Sequence, residues 1–307
     1  MYSVAVLMST YNGAAFIEEQ IESIFQQKDV KVTLFVRDDG SNDDTIAIVQ
    51  KYQKDHPIII LPFDQNVGPG MSFMKLLFHV MGTEKNFDYY AFSDQDDIWL
   101  PEKLIRGIEK IGKGPTLYCS NQWLYCDGKK EQLRYDFIPD QTLVGHISKN
   151  DFSGCTMIMN RSMAQCVVSI PCPPKSLLDH RMHDAWIVLI AILVGQLVYD
   201  PRSYILYRIH SNNTVGIQKS SLSERIKDVT GMHTNKSKYR NIRSNTAKQL
   251  LKGDLSYKQE DKELLYLLAN YQTDWKIKNQ LLRMKSIYQK SGESSIVYKI
   301  KVLANII

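Results

Sequence analysis

Apolar runs change their period repeatedly over the first hundred residues, and that alternation leaves few architectures open. Residues 3–8, 33–36, 58–61 and 89–92 are short and β-rich, so they read as strands. Between them, residues 15–27 carry Ile17, Ile21, Ile24 and Phe25 at helical spacing. Residues 43–54, with Ser41 or Asn42 as N-cap, and 71–81 read as two further helices. Strands and helices that alternate with such short connections predict βαβ units, hence an α/β fold with a mostly parallel central sheet flanked by helices. In such a sheet the ligand lies outside the carboxyl ends of the strands.

At those ends this chain places carboxylates. The second strand runs into Arg37-Asp38-Asp39-Gly40-Ser41 and the fourth into Ser93-Asp94-Gln95-Asp96-Asp97, while the first ends in Ser9-Thr10-Tyr11-Asn12-Gly13. Neither the G-x-G-x-x-G of a dinucleotide site nor the G-x-x-x-x-G-K-[ST] of a P-loop is present. Carboxylates gathered where a phosphate would lie repel it unless a divalent cation stands between them. Three acids in four residues also repel one another without a counter-ion. Oxygen donors of this kind select Mg²⁺ or Mn²⁺. The alternatives are turn chemistry for Asp39 and Ser41, and a solvated acidic loop before a helix begun by Pro101.

In this order and spacing, residues 4–13, Asp38-Asp39-Gly40-Ser41, Asn66-Val67-Gly68, Asp94-Gln95-Asp96-Asp97 and His183-Asp184 resemble the family 2 glycosyltransferases with the GT-A nucleotide-sugar-binding fold. The likeness covers about residues 3–215. The acidic run followed by Ile98-Trp99, with the later Tyr207-Arg208-Ile209-His210-Ser211-Asn212-Asn213, is most similar to the bacterial rhamnosyltransferase branch. The resemblance implies that Thr10, Tyr11, Asn12, Gly68 and Gln95 line the nucleotide-sugar site and that Asp39 hydrogen-bonds the pyrimidine imide. Asp94 would lie near the ribose and Asp96 on the metal, with His210 as a further ligand or else a surface histidine. Asp184 would be the general base, although Asp is also a favoured N-cap for the apolar run at 185–194. His183 is a weaker metal candidate, and His146, His180 and His233 are expected on the surface.

The activity so implied is inverting, metal-dependent transfer of a sugar, L-rhamnose from dTDP-rhamnose, to a bacterial cell-surface polysaccharide or its lipid-linked precursor. A UDP-hexose donor, a nucleotidyltransferase and a non-catalytic sugar-nucleotide-binding subunit are the alternatives. The Q-x-x-R-W motif of processive members is missing, which points to transfer of one or a few sugars.

Charge divides the chain of 307 residues. Residues 1–217 hold 20 Lys/Arg against 25 Asp/Glu, whereas residues 218–307 hold 18 against 8. We therefore expect a catalytic domain over 1–217 and a basic helical extension over 218–307. That extension would pack on the catalytic domain or on a second copy in a homo-oligomer, or touch an anionic membrane peripherally through residues 296–303. No nucleic-acid-binding motif accompanies the charge, so nucleic acid is not an expected partner. Five cysteines without a C-x-x-C pair fit a reducing cytosol. The opening residues do not read as a secretory signal, and the longest apolar run, 185–194, is about half the ~20 residues of a membrane span.

Overall fold

The computed structural model describes residues 1–126, 128–210, 241–291 and 294–307. Ser211-Asn212-Asn213, His233 and the first part of the basic extension lie outside the described residues. Strands β1 (Tyr2–Thr10), β2 (Val30–Asp38), β3 (Ile58–Ile60) and β4 (Tyr89–Ser93) run parallel in the order β3-β2-β1-β4. The sheet continues through β8 (Ile158–Asn160), antiparallel to both β4 and β6 (Thr116–Cys126). It ends with β9 (Gln196–Arg208), parallel to β6, and β5 (Ile98–Trp99), antiparallel to β9, while β7 (Lys129–Leu133) pairs with β6.

Both faces of this mostly parallel sheet are covered, so its central strands are apolar throughout. Side chains on a strand alternate between faces. Val4, Val6 and Met8 of β1 join one core with Ile17, Ile21 and Ile24 of α1 (Ile17–Phe25), Val49 of α2 (Thr45–Tyr52) and Leu104 of α4 (Lys103–Ile108). Ala5 and Leu7 join the other, beneath α3 (Pro69–Met81), α6 (Arg161–Ser169) and α7 (Lys175–Val194). The short helix α5 (Leu143–His146) lies on that second side.

Three expectations are corrected. Ser41 and Asn42 do not cap α2: Asp44 holds the N-cap position, and Ser41 Oγ instead accepts the Asn12 N–H at 2.8 Å. The acidic loop leads first into β5, and α4 begins at Lys103 rather than Pro101. His146 is buried, its Nε2 3.1 Å from the Ala185 carbonyl, and burial pulls its pKa down to about 3.

Helices α3 and α7 meet closely at Gly70, where an added Cβ would stand 2.8 Å from the Leu178 carbonyl oxygen. That oxygen is backbone and cannot rotate away. Gly70→Ala is therefore expected to destabilise by about 1–3 kcal/mol, outweighing the helix-propensity gain of up to ~1 kcal/mol. A urea midpoint equal to or above that of the unmodified chain would contradict this packing.

Beyond β9 the described chain is helical: α8 (Ile242–Leu250), α9 (Gln259–Asn270), α10 (Trp275–Arg283), α11 (Lys285–Ser291) and α12 (Ser295–Leu303). Leu250, Leu265, Leu268, Leu281, Tyr298 and Val302 extend the α3–α7 core. The opposite side of α12 leaves Ile296, Ile300 and Leu303 exposed. No helix among the described residues is long and apolar enough to cross a membrane.

Candidate active site

Strand register decides what meets at the carboxyl edge of the sheet. Thr10 is level with Asp38, and Met8 with Ser93. The loops after β1, β2 and β4 therefore open onto one place, a cavity of about 1020 Å³. Thr10, Tyr11, Asn12, Asp39, Gly68, Asp94, Gln95, Asp96, Asp184 and His210 all line it. These ten residues, singled out in the sequence as site candidates, are thus brought together.

Their hydrogen bonds divide them by what remains free. Asp38 is used up: Oδ1 accepts from Thr10 Oγ1 at 2.8 Å and Ser41 Oγ at 2.6 Å, and Oδ2 accepts the backbone N–H groups of Gly40 and Ser41. Thr10 spends its one donor there. Asp39 is buried and accepts Arg37 Nη1 at 2.7 Å and the N–H groups of Val67 and Gly68 at 2.9 and 2.7 Å. Two carboxylate oxygens offer about four acceptor directions, so one remains on Oδ2. Gly68 has φ +79°, a left-handed backbone that suits glycine, and it turns the chain into α3 with Pro69 in the first turn. Gln95 straps the first loop to the fourth strand, accepting the Tyr11 N–H at 2.9 Å and donating to the Tyr11 carbonyl at 3.0 Å. The Asn12 side chain in turn accepts the Asn42 N–H at 2.8 Å.

The acidic turn is electrostatically strained. Burial, then Asp96 and then Asp184, push Asp94 up to about 7. Asp97 is pushed well above the usual carboxylate range by burial and by Asp96 and Asp94. Asp96 Oδ2 lies 2.8 Å from His210 Nε2, whose ring stacks on Phe16 with centroids 4.7 Å apart. Arg208 holds the turn from behind, Nε donating to the Asp96 carbonyl at 2.9 Å and Nη2 to Glu19 at 2.5 Å. Ligand atoms of Asp94, Asp97 and Cys155 lie within 4.8 Å of one another. Of these, Asp97 is fully buried and does not line the cavity.

Asp184 comes from a break in α7. Met182 has φ 55° and ψ 168°, which interrupts the helix just before His183 and Asp184. A strained non-glycine residue of this kind persists only where its surroundings enforce it, and it is typical of functional sites. Asp184 Oδ1 accepts the Ala185 N–H at 2.6 Å, with the Gly154 N–H and the Asn150 side chain also favouring its charged form. Burial outweighs them and lifts Asp184 to about 6. A Cβ on Gly154 would stand 2.5 Å from His183 Nε2, so only glycine lets that loop close on the break.

His183 lines the same cavity, its ring nitrogens without a hydrogen-bond partner among the described residues. It is buried and stacked on Phe73 at 4.1 Å, and burial pulls it down to about 3. His180, expected on the surface, is half-buried and lines the cavity. Sequence reasoning passed over Arg37, Arg134, Gly154, Cys155 and Arg181. Arg37 carried a signal, a charge inside the apolar run that leads to Asp38. The others lie where no periodicity or motif marks them.

Known proteins resemble this chain in sequence and in fold. The family model described as Glycosyl transferase family 2 matches residues 5–168. The dTDP-rhamnosyl transferase RfbG of Shigella flexneri is 34% identical over 215 residues, covering 68% of this chain and 73% of that protein. Among solved structures, S. aureus TarS 1–349 in complex with UDP-GlcNAc superposes with TM-score 0.58 at 17% identity, covering 99% of this chain and 82% of that one. The mannosyltransferase PcManGT of Pyrobaculum calidifontis, in complex with GDP-Man and Mn²⁺, gives TM-score 0.52 at 13% identity over 98% and 86% of the two chains. These two neighbours speak for the GT-A fold alone. The family match over more than half of the chain, together with the RfbG likeness, establishes that this chain belongs to glycosyl transferase family 2 and is a glycosyltransferase.

Proposed function

We propose that the chain is an inverting, metal-dependent rhamnosyltransferase that moves L-rhamnose from dTDP-rhamnose to a hydroxyl of a cell-surface glycan or its lipid-linked precursor. The observation that carries this reading is the sharing of one cavity by the Asp94 and Asp96 pair and the raised carboxylate of Asp184. The RfbG likeness supports the donor. The exposed side of α12, with Ile296, Ile300, Leu303 and the neighbouring Lys299 and Lys301, suits peripheral contact with an anionic membrane carrying such a precursor.

The residues fit Mn²⁺ or Mg²⁺. Asp94 and Asp96 offer hard oxygen donors whose mutual repulsion a cation would relieve. Asp94, Asp96 and His210 line the same cavity, with Asp96 Oδ2 2.8 Å from His210 Nε2, so these are the residues that would hold the ion. Once bound, the ion would supply positive charge to the diphosphate leaving group.

The chain's own groups do the rest. Asp39 keeps one acceptor direction for the imide N–H of a pyrimidine base. Asp184 takes the proton of the acceptor hydroxyl as that oxygen bonds to the anomeric carbon. The bond from that carbon to the diphosphate breaks on the opposite face, and nucleoside diphosphate leaves.

A base must be deprotonated to act. With Asp184 at about 6 in the unliganded protein, kcat/KM is expected to rise with pH up to that value and to level off above it. A pH-rate profile flat from 5 to 8, or one falling through 6, would remove Asp184 from the role.

A further inference from the structure

The cavity is electrically divided. Asp39, Asp94 and Asp96 stand on the wall formed by the loops after β2 and β4. The segments carrying residues 134–135, 148–155 and 180–184 supply Arg134, Lys149 and Arg181, together with Asp184. Lys149 is neutralised by Asp151 at 2.9 Å. The two arginines are held only by neutral groups. Arg134 Nη1 donates to Gln122 Oε1 at 2.8 Å and Ser153 Oγ at 2.9 Å. Arg181 Nη2 donates to the Ile147 carbonyl, leaving Nε and Nη1 without a partner among the described residues.

No carboxylate pairs with either guanidinium among the described residues. Arg181 is in fact crowded by a like charge: burial lowers it to about 10 and Arg243 adds to the effect. Arg134 is close enough to Asp94 and Asp184 to favour their charged forms, so it borders both halves of the cavity. Both arginines are half-buried in the cavity wall, and none of their nitrogens is both unpaired and closed off from solvent. A guanidinium fork is also matched to the oxygens of phosphate and carboxylate. Arg181 lies on the segment that carries Asp184, Arg134 is within electrostatic reach of it, and neither guanidinium is ion-paired among the described residues.

We infer that the acceptor is anionic, and that Arg134 and Arg181 bind a phosphate or carboxylate of it, fixing its attacking hydroxyl toward Asp184. The inference rests on the proposed reading of Asp184 as the base, which makes its side of the cavity the acceptor side. The anion could belong to the diphosphate of a lipid carrier or to an acidic sugar of the glycan. Both present the same oxygens to the arginines.

The test uses the full chain saturated with dTDP and Mn²⁺, titrated calorimetrically with citronellyl diphosphate, with a glucuronic-acid disaccharide and with a neutral disaccharide. At least one anionic probe should bind at least tenfold more tightly than the neutral one, and which one identifies the source. Arg181→Gln and Arg134→Gln should each weaken that probe tenfold or more while dTDP affinity and melting temperature hold. Each arginine is a separate arm, so a variant that fails to fold leaves the other to decide. Anionic probes no better than the neutral one, or binding indifferent to both variants, would overturn the inference. So would a loss of dTDP affinity with the probe unaffected, since the arginines would then serve the donor diphosphate. No turnover is measured, so a failure of Asp184 as base leaves this result unchanged and shows instead in Asp184→Asn kinetics.

Discussion

Asp184→Asn is expected to leave melting temperature and nucleotide affinity near those of the unmodified protein while transfer falls by about 10² to 10⁴. The amide oxygen can still accept the Ala185 N–H that the carboxylate accepts at 2.6 Å, but it cannot take a proton at neutral pH. The helix-cap alternative predicts something else. Asn caps a helix about as well as Asp, so a purely structural Asp184 would tolerate the change with its rate intact. The break at Met182 already argues against simple capping, because Asp184 sits two residues beyond it, inside the restarted helix. Asp179, the neighbouring acid, does not line the cavity and is held by Lys175 at 2.8 Å. An Asn variant that transfers at close to full rate would therefore leave the site without its base.

Asp96→Asn should lower transfer by more than about 100-fold, since disturbing even an outer partner of a metal ligand typically costs 10- to 100-fold. It should also abolish the Mn²⁺ dependence of nucleoside diphosphate binding. The fold should tolerate it, because among the described residues the Asp96 carboxylate hydrogen-bonds His210, and an amide can keep that contact. Normal turnover by Asp96→Asn at limiting Mn²⁺ would mean that the acidic turn does not hold the ion.

The first half of the fold was legible because its signals are local. Apolar period changes near residues 8, 33, 58 and 89 become β1 to β4, and the carboxylates after β2 and β4 reach the cavity because parallel register brings those ends level. What sequence could not show depends on contacts between distant segments. Asp39 reads as turn or ligand until Arg37 and the Val67 and Gly68 N–H groups are seen to occupy three of its acceptor directions. His146 and His183 look polar and end up buried, because α5 and the break in α7 fold them inward. The Met182 backbone, the approach of Gly154 and the unneutralised Arg181 arise from packing, which residue type and spacing do not encode.

One measurement bears on the whole account: the thermal shift of the full chain with dTDP, UDP, GDP and CDP, each with and without Mn²⁺. A ligand at 100 times its dissociation constant adds ~2.7 kcal/mol to stability, enough to resolve. The account predicts the largest rise with dTDP plus Mn²⁺, little rise with dTDP alone, and loss of the Mn²⁺ effect in Asp96→Asn. Equal shifts with and without Mn²⁺, or a larger rise with UDP, GDP or CDP than with dTDP, would contradict it.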